Sequence, residues 1–386
     1  MYHRLFAPLT IASKLTLPNR LVMAPMTTTS GELDGSFSRE EIDYLSLRAK
    51  DGIGLIMTPA CYCHKSGHAF SRQVGCHTDE MIGSLARCAQ EINKHGAASF
   101  LQIHHGGNAA QSEFSGQPPL APSPVASRRG GNEPPRELTD NEIWMIIESF
   151  ARAADRAKQA GFTGIELHGA NTYLFQQFFS PFTNKRTDSW GGDRVCATCR
   201  DHHLHDSASI CGRLENRSRF AREVVKAVRT EIGPEYPICY RISPEEPDPY
   251  GYLTRDAIEL LKMLIQDGID IVHVSSWEYG KGVRSDYPLG SHPTKMVRDA
   301  LPRDIPVIGV GSIQTPDQAL QVLDDGVDLV ALGRILLLNH DWATKVRTGR
   351  AATLRTALRS ETERETLLIL PPMREYTRRS IAVMPA

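Results

Sequence analysis

Four short stretches carry residues able to do chemistry. His168 and Asn171 stand three positions apart, with Tyr173 just beyond. Inside a strand, residues three apart face opposite sides. In a turn that follows a strand they converge, with Gly169 allowing the bend. Two neutral donors aimed at one point suit a carbonyl oxygen that gains enolate charge, and losing one such donor typically costs about 10²–10³ in rate. Tyr173, a phenol protonated at neutral pH, could then deliver a proton. The same spacing also describes a core histidine, a capping asparagine and a packed tyrosine, and spacing alone does not separate the two readings. The second stretch pairs Gly309-Val310-Gly311-Ser312 with Gly333-Arg334. Glycines admit backbone N–H groups close to phosphate oxygens, a helix N-terminus adds positive potential, and an arginine adds a charged fork. The third, Arg194 to Arg213, holds Cys196-x-x-Cys199, His202, His203, His205 and Cys211. That spacing suits tetrahedral zinc, but a flexible polar loop or an in-frame non-coding stretch competes with it. The fourth, Cys61, Cys63, His64 and His68, reads as packing and loop chemistry ahead of a metal site.

These residues need a frame. Short apolar runs at Arg20–Thr27, Gly54–Pro59, Ala98–His104, Gly164–His168, Ile238–Ser243, Ile271–Ser275, Pro306–Gly311 and Leu329–Gly333 read as parallel strands covered on both faces. Helical patterns lie between them. Ser38 is a candidate N-cap, and Thr139 with Glu142 forms a capping-box pattern. Thr254 opens a third helix, and Thr315-Pro316 starts a fourth. Gly161 and Gly268 read as helix stops. Eight strands alternating with helices predict an α/β fold: a closed (β/α)8 TIM barrel with an eight-stranded parallel sheet. A doubly wound open sheet is the alternative. It is disfavoured because no Gly-x-Gly-x-x-Gly follows the first strand, and because polar residues gather at the C-terminal strand ends, where barrels hold their chemistry. Glu113 to Pro135 reads as a long surface loop. Barrel residues 1–350 are followed by a terminal helix and a solvated basic tail, 351–386, with Arg374, Arg378 and Arg379.

Composition narrows the function. In 386 residues, Lys+Arg 44 against Asp+Glu 45 leaves a net charge of −1, so no basic excess drives nucleic-acid or membrane-surface binding. The apolar runs are too short to span a bilayer. The N-terminus lacks the pattern of a secretory signal, and eight cysteines in so long a chain are expected to be reduced thiols in a cytoplasmic setting.

The sequence resembles the old yellow enzyme family, the FMN-dependent ene-reductases, in its single-domain bacterial-type branch of NADH:flavin oxidoreductases. The likeness runs through Ala24-Pro25-Met26-Thr27, Leu101-Gln102-Ile103, His168-Gly169-Ala170-Asn171-x-Tyr173, Gln177-Phe178, Arg186-Thr187-Asp188 to Gly191-Gly192, Glu215-Asn216-Arg217, Arg241-Ile242-Ser243-Pro244 and Gly333-Arg334. It implies that FMN is the cofactor, reduced by NAD(P)H. Ala24, Pro25, Met26 and Thr27 would lie along the flavin, with Thr27 bonding the carbonyl beside its reactive nitrogen. Ala60 would supply a backbone contact, Gln102 would pair with the pyrimidine edge, and Arg241 would stabilise the anionic reduced flavin. Gly311, Ser312, Gly333 and Arg334 would hold the phosphate. His168 and Asn171 would bind the carbonyl of a small α,β-unsaturated substrate, and Tyr173 would protonate its α carbon after hydride reaches the β carbon. Trp277 and Tyr279 would wall the substrate cleft, with loop aromatics of no such role as the competing reading.

Departures also count. Asn108 stands where many relatives carry arginine. No cysteine follows Cys239, which argues against the larger relatives that carry an iron–sulfur cluster. The 194–213 stretch looks like an insertion, and an FMN-binding barrel with impaired turnover is the second functional reading. A zinc-dependent barrel hydrolase ranks below it, because Ala-Pro-Met-Thr stands where such enzymes place metal ligands. No metal site is therefore assigned. The resemblance allows a homo-oligomer, though no interface patch is readable.

Overall fold

Eight parallel strands close on themselves. They are β1 (Leu21–Met23), β2 (Leu55–Met57), β3 (Ala98–His104), β4 (Gly164–Gly169), β5 (Ile238–Ile242), β6 (Ile271–Ser275), β7 (Val307–Val310) and β8 (Leu329–Leu332). Each pairs with its sequence neighbours, and β8 returns to β1 through Val330 opposite Leu21. The computed structural model describes residues 2–12, 14–128, 133–191, 214–282, 291–358 and 360–374. The stretch 194–213, Arg378 and Arg379 lie outside the described residues.

Side-chain alternation sorts each strand into lumen and outer face. Val22, Leu55, Met57, Ala98, Phe100, Cys239, Ile271, Ile308 and Leu329 fill the lumen, while a larger apolar shell joins the sheet to the helices. An N-terminal hairpin of Leu9–Ile11 against Leu15–Leu17 packs Ile11 and Leu17 onto the lumen residues and plugs the lower mouth. Its strands are three residues long, too short for periodicity to reveal.

The helix starts follow local chemistry. Ser38 Oγ accepts from Glu41 N at 3.1 Å. Thr139 with Glu142 and Thr315 with Gln318 complete capping boxes, each such cap contributing about 1 kcal/mol. Among the described residues, no helix is long and apolar enough to cross a membrane.

Two segments differ from the sequence expectation. The connection after β3 is bolted down rather than draped over the surface. Leu120–Ala121 pairs with Arg136–Glu137, and buried Arg186 donates to Pro122 O at 3.2 Å and Leu138 O at 2.6 Å while holding Asp188. The Arg186-Thr187-Asp188 motif is thus a clamp on that connection. The C-terminal stretch also packs. Leu367, Ile369, Leu370 and Met373 are buried, and fully buried Arg48 donates to Leu368 O at 2.9 Å. The run Leu367-Leu368-Ile369-Leu370 carries the signal in sequence, but the charged residues on both sides of it make the segment read as a tail.

Candidate active site

At the C-terminal end of the barrel the lumen turns polar. Alternation brings Gln102 and His104 on β3, Glu166 and His168 on β4, Arg241 on β5 and His273 and Ser275 on β6 above the apolar floor. Arg241 stands in register between His168 and His273. A cleft of about 400 Å³ opens over them, lined by Pro25, Met26, Thr27, Ala60, Gln102, His168, Asn171, Tyr173 and Arg241. These are nine of the residues singled out from the sequence. Thr28, Thr29, Phe70, Pro372 and Met373 complete the lining. No motif marked the last three, because they come from loops whose placement depends on packing.

The turn after β4 converges as the spacing suggested, though by a different device. The bend is made by Asn171 and Thr172, both left-handed at φ 59° and 64°. Such positions cost about 1–3 kcal/mol and persist only where neighbours over-determine them. Here Ser243 Oγ accepts from Asn171 N at 2.9 Å, and Gln176 Oε1 accepts from Thr172 N at 2.8 Å. Gln177 Nε2 donates to Thr172 O at 2.8 Å. Gly169 serves close packing instead: a Cβ there would lie 2.3 Å from the Tyr240 ring.

The strained turn aims Asn171 and Tyr173 at the cleft, beside His168 on β4. The Tyr173 ring stands edge-on to His104 at 4.4 Å between centroids and lies 5.1 Å from His168. Phe70 closes the other side of Tyr173 at 6.1 Å. Asn171 is oriented by a relay from Arg241. Arg241 Nη2 donates to Ser275 Oγ at 3.1 Å, and Ser275 Oγ donates to Asn171 Oδ1 at 3.2 Å. Guanidinium can only donate, so the relay has one direction and leaves the Asn171 Nδ2 donor for the cleft.

A shelf at the ends of β7 and β8 adjoins this cleft. Gly311 has φ 151°, and a Cβ there would lie 2.4 Å from Tyr279 N. The bare glycine lets the loop after β6 cross, with Tyr279 N donating to Gly311 O at 2.9 Å. Ser312 follows at φ 49°, and Arg334 donates to its hydroxyl. Beside Gly333 the nearest atoms belong to Met26 and Ala24, so the shelf meets the cleft on the β1 side.

The residues 4–195 and 205–353 match the pattern of the NADH:flavin oxidoreductase / NADH oxidase family. The chain belongs to that family. The probable NADH-dependent flavin oxidoreductase YqiG of Bacillus subtilis is 35% identical over 96% of this chain and 95% of its own length. The NADPH dehydrogenase of Clostridium acetobutylicum is 32% identical over 87% of this chain and 92% of its own. Among solved structures, morphinone reductase with tetrahydroNAD is 29% identical over 90% and 91% of the two chains, with a TM-score of 0.73. A 2-naphthoyl-CoA reductase complex aligns at a TM-score of 0.80 and 27% identity, this chain spanning 53% of that one. Membership makes this an old yellow enzyme-type flavin oxidoreductase with FMN as cofactor and NADH or NADPH as donor.

The residues present fit FMN. Gly311, Ser312, Gly333 and Arg334 combine a close-approach backbone with a cation, which suits a phosphate. Gln102 and Arg241 present a polar, cationic floor, which suits the pyrimidine side of a flavin. Ala60 offers backbone only, and its carbonyl already accepts from Gln73 Nε2 at 3.0 Å.

Three expected residues are not brought to the cleft. Ala24 packs in the lumen with its N–H bonded to Leu332 O at 2.9 Å, continuing the barrel ladder. Trp277 is 83% exposed. Ser312 Oγ holds its carbonyl at 3.0 Å, and its ring does not line the cleft. Tyr279 turns to Asp325, bonding it at 2.9 Å. Asn108 is a buried framework residue bonding Gln177 and Val125 O. Among the described residues no three His, Cys, Asp or Glu side chains gather as metal ligands, and Cys61 and Cys63 are core residues. The family pattern is interrupted across 196–204, within the 194–213 stretch.

Proposed function

We propose that this flavin oxidoreductase reduces the carbon–carbon double bond of a small α,β-unsaturated carbonyl compound. The observation that carries the reading is the convergence of His168, Asn171 and Tyr173 on one wall of a cleft whose floor is Gln102 and Arg241. When bound, FMN carries hydride from NAD(P)H to the substrate's β carbon. Thr27, Ala60, Gln102 and Arg241 would hold the ring, with the β7–β8 shelf holding the phosphate.

The chain's own groups do the rest. His168 and the Asn171 Nδ2 donor bind the substrate carbonyl oxygen and stabilise it as it takes on negative charge. That charge is relieved when the Tyr173 hydroxyl protonates the α carbon, and the phenol recovers its proton from solvent. One hydride and one proton are added across the double bond, and NAD(P)H is oxidised. Phe70, Pro372 and Met373 give the cleft an apolar rim, which suits a substrate with a hydrocarbon body and one polar end.

The test is an anaerobic absorbance experiment. Wild-type protein should lose its flavin colour with NAD(P)H and recover it with an enone. Tyr173→Phe should keep the first phase and slow the second by about 10²–10⁴-fold. Equal rates of recolouring would remove Tyr173 from the reaction. A protein that bleaches and never recolours with any enone would favour impaired turnover instead.

A further inference from the structure

The lumen beneath the cleft holds a buried cluster that the proposed chemistry does not use. Glu166 points inward from β4 and its side chain is fully buried, as is that of His273. Glu166 Oε1 accepts from Gln102 Nε2 at 2.7 Å, and its Oε2 accepts from His273 Nδ1 at 2.6 Å and from Cys239 Sγ at 3.4 Å. Arg241 follows two positions after Cys239 on β5 and acts on both members of the pair. Burial alone would push the Glu166 carboxyl up; His273, Arg241 and the Gln102 bond outweigh it and hold it below the ordinary range. Burial, reinforced by Arg241, holds the His273 imidazole down. Three donors, Gln102 Nε2, His273 Nδ1 and Cys239 Sγ, thus converge on the Glu166 oxygens, the surroundings of a carboxylate, and the His273 Nε2 has no hydrogen-bond partner.

An ionised carboxylate accepts and cannot donate. It settles which way round the Gln102 amide lies, with the NH₂ toward Glu166 and the carbonyl oxygen left for the cleft that Gln102 lines. We propose that Glu166 is a positioning residue for FMN. It makes Gln102 an acceptor for the N–H of the flavin pyrimidine, and it offsets part of the Arg241 charge beneath the ring. An unopposed Arg241 would favour the anionic reduced flavin more strongly, so Glu166 keeps the flavin a better hydride donor. The proposal rests on the cofactor and is independent of which substrate is reduced.

Glu166→Gln preserves shape, removes the charge and lets the Gln102 amide take either orientation. Flavin-stripped protein titrated with FMN, followed by flavin fluorescence, should bind about tenfold more weakly in this variant. The reduction equilibrium should shift at least tenfold toward reduced flavin, about 30 mV for a two-electron couple. A Gln102→Met background should abolish the affinity effect of Glu166→Gln and retain the shift in potential. A purely structural Glu166 would lower stability and move neither readout in this pattern.

A ligand-side test needs no variant. Wild-type protein should bind FMN methylated on the pyrimidine N3 at least tenfold more weakly than FMN, and Glu166→Gln should discriminate less. If Glu166→Gln fails to fold, the wild-type comparison still decides. Equal affinity of the wild type for the two flavins overturns the proposal, as does wild-type FMN affinity and potential in Glu166→Gln. A chain that binds neither flavin overturns the assignment of Gln102 and Arg241 to the cofactor, a result distinct from binding both equally.

Discussion

Ser275→Ala offers a direct test of how the carbonyl-binding donors are aimed. Ser275 lies between Arg241 Nη2 at 3.1 Å and Asn171 Oδ1 at 3.2 Å. Removing its hydroxyl deletes both bonds and leaves the Asn171 backbone clamps intact. A typical intramolecular hydrogen bond contributes about 1 kcal/mol net, and the loss at Asn171 corresponds to about fivefold in affinity for a ligand that needs the Nδ2 donor. The released amide can also rotate, which costs up to about a further factor of two when both orientations are populated equally. A phenolate ligand, which presents an enolate-like oxygen, should therefore bind about five- to tenfold more weakly. The assay is titration of the oxidised holoenzyme, followed by perturbation of the flavin absorbance. Asn171→Ala, which deletes the donor outright, should weaken the ligand further, and the double variant should equal Asn171→Ala alone. Wild-type phenolate affinity in Ser275→Ala would refute the relay. A loss in the double variant equal to the sum of the two single losses would refute it as well.

Other consequences are separable. Arg334→Ala should weaken FMN binding about 10- to 100-fold, as expected for one charge-assisted contact of about 1.5–3 kcal/mol, and equilibrium dialysis would measure it. Met373 is buried and lines the cleft. Met373→Ala should cost about 2–3 kcal/mol of stability and raise kcat/KM for bulky enones relative to small ones; an unchanged ratio would place the C-terminal segment outside substrate selection. Glu41 accepts from the Thr28 hydroxyl, and burial pushes its carboxyl up to about 7. Because the folded value lies above the unfolded one, the stability it contributes is full below about pH 4.5 and is lost as pH rises through about 7. Glu41→Gln should remove that decline and stabilise the protein by up to about 3 kcal/mol at pH 8, read from urea denaturation at pH 5 and pH 8.

Much of this protein is written in its local sequence. Strand positions, caps at Ser38, Thr139 and Thr315, and the clustering of polar residues at strand ends depend on side-chain type and spacing over a few residues. The (β/α)8 order then leaves few ways to close the sheet and puts His168, Asn171, Tyr173, Gln102 and Arg241 near strand ends, but only the resemblance to the old yellow enzyme family joined them into one candidate site before any coordinates. The shelf of Gly311, Ser312 and Arg334 was legible as a candidate phosphate site from residue type alone, since close approach to an anion favours glycine and a cation.

Tertiary structure alone decided the rest. Ala24 carries the motif but spends its N–H on the barrel ladder, and Trp277 turns to solvent because Ser312 holds its backbone and leaves its ring outside. Phe70, Pro372 and Met373 reach the cleft from segments with no local signature. Glu166 and His273 read as single polar residues in apolar strands, 107 positions apart. Register on neighbouring strands brings the Glu166 carboxylate to Gln102 and Cys239, and the inward curve of the sheet brings it to His273 on β6, one strand beyond Cys239. The direction of the Asn171 and Gln102 amides is likewise invisible in sequence. An amide has no preferred end until a neighbour that can only donate, or only accept, is placed against it.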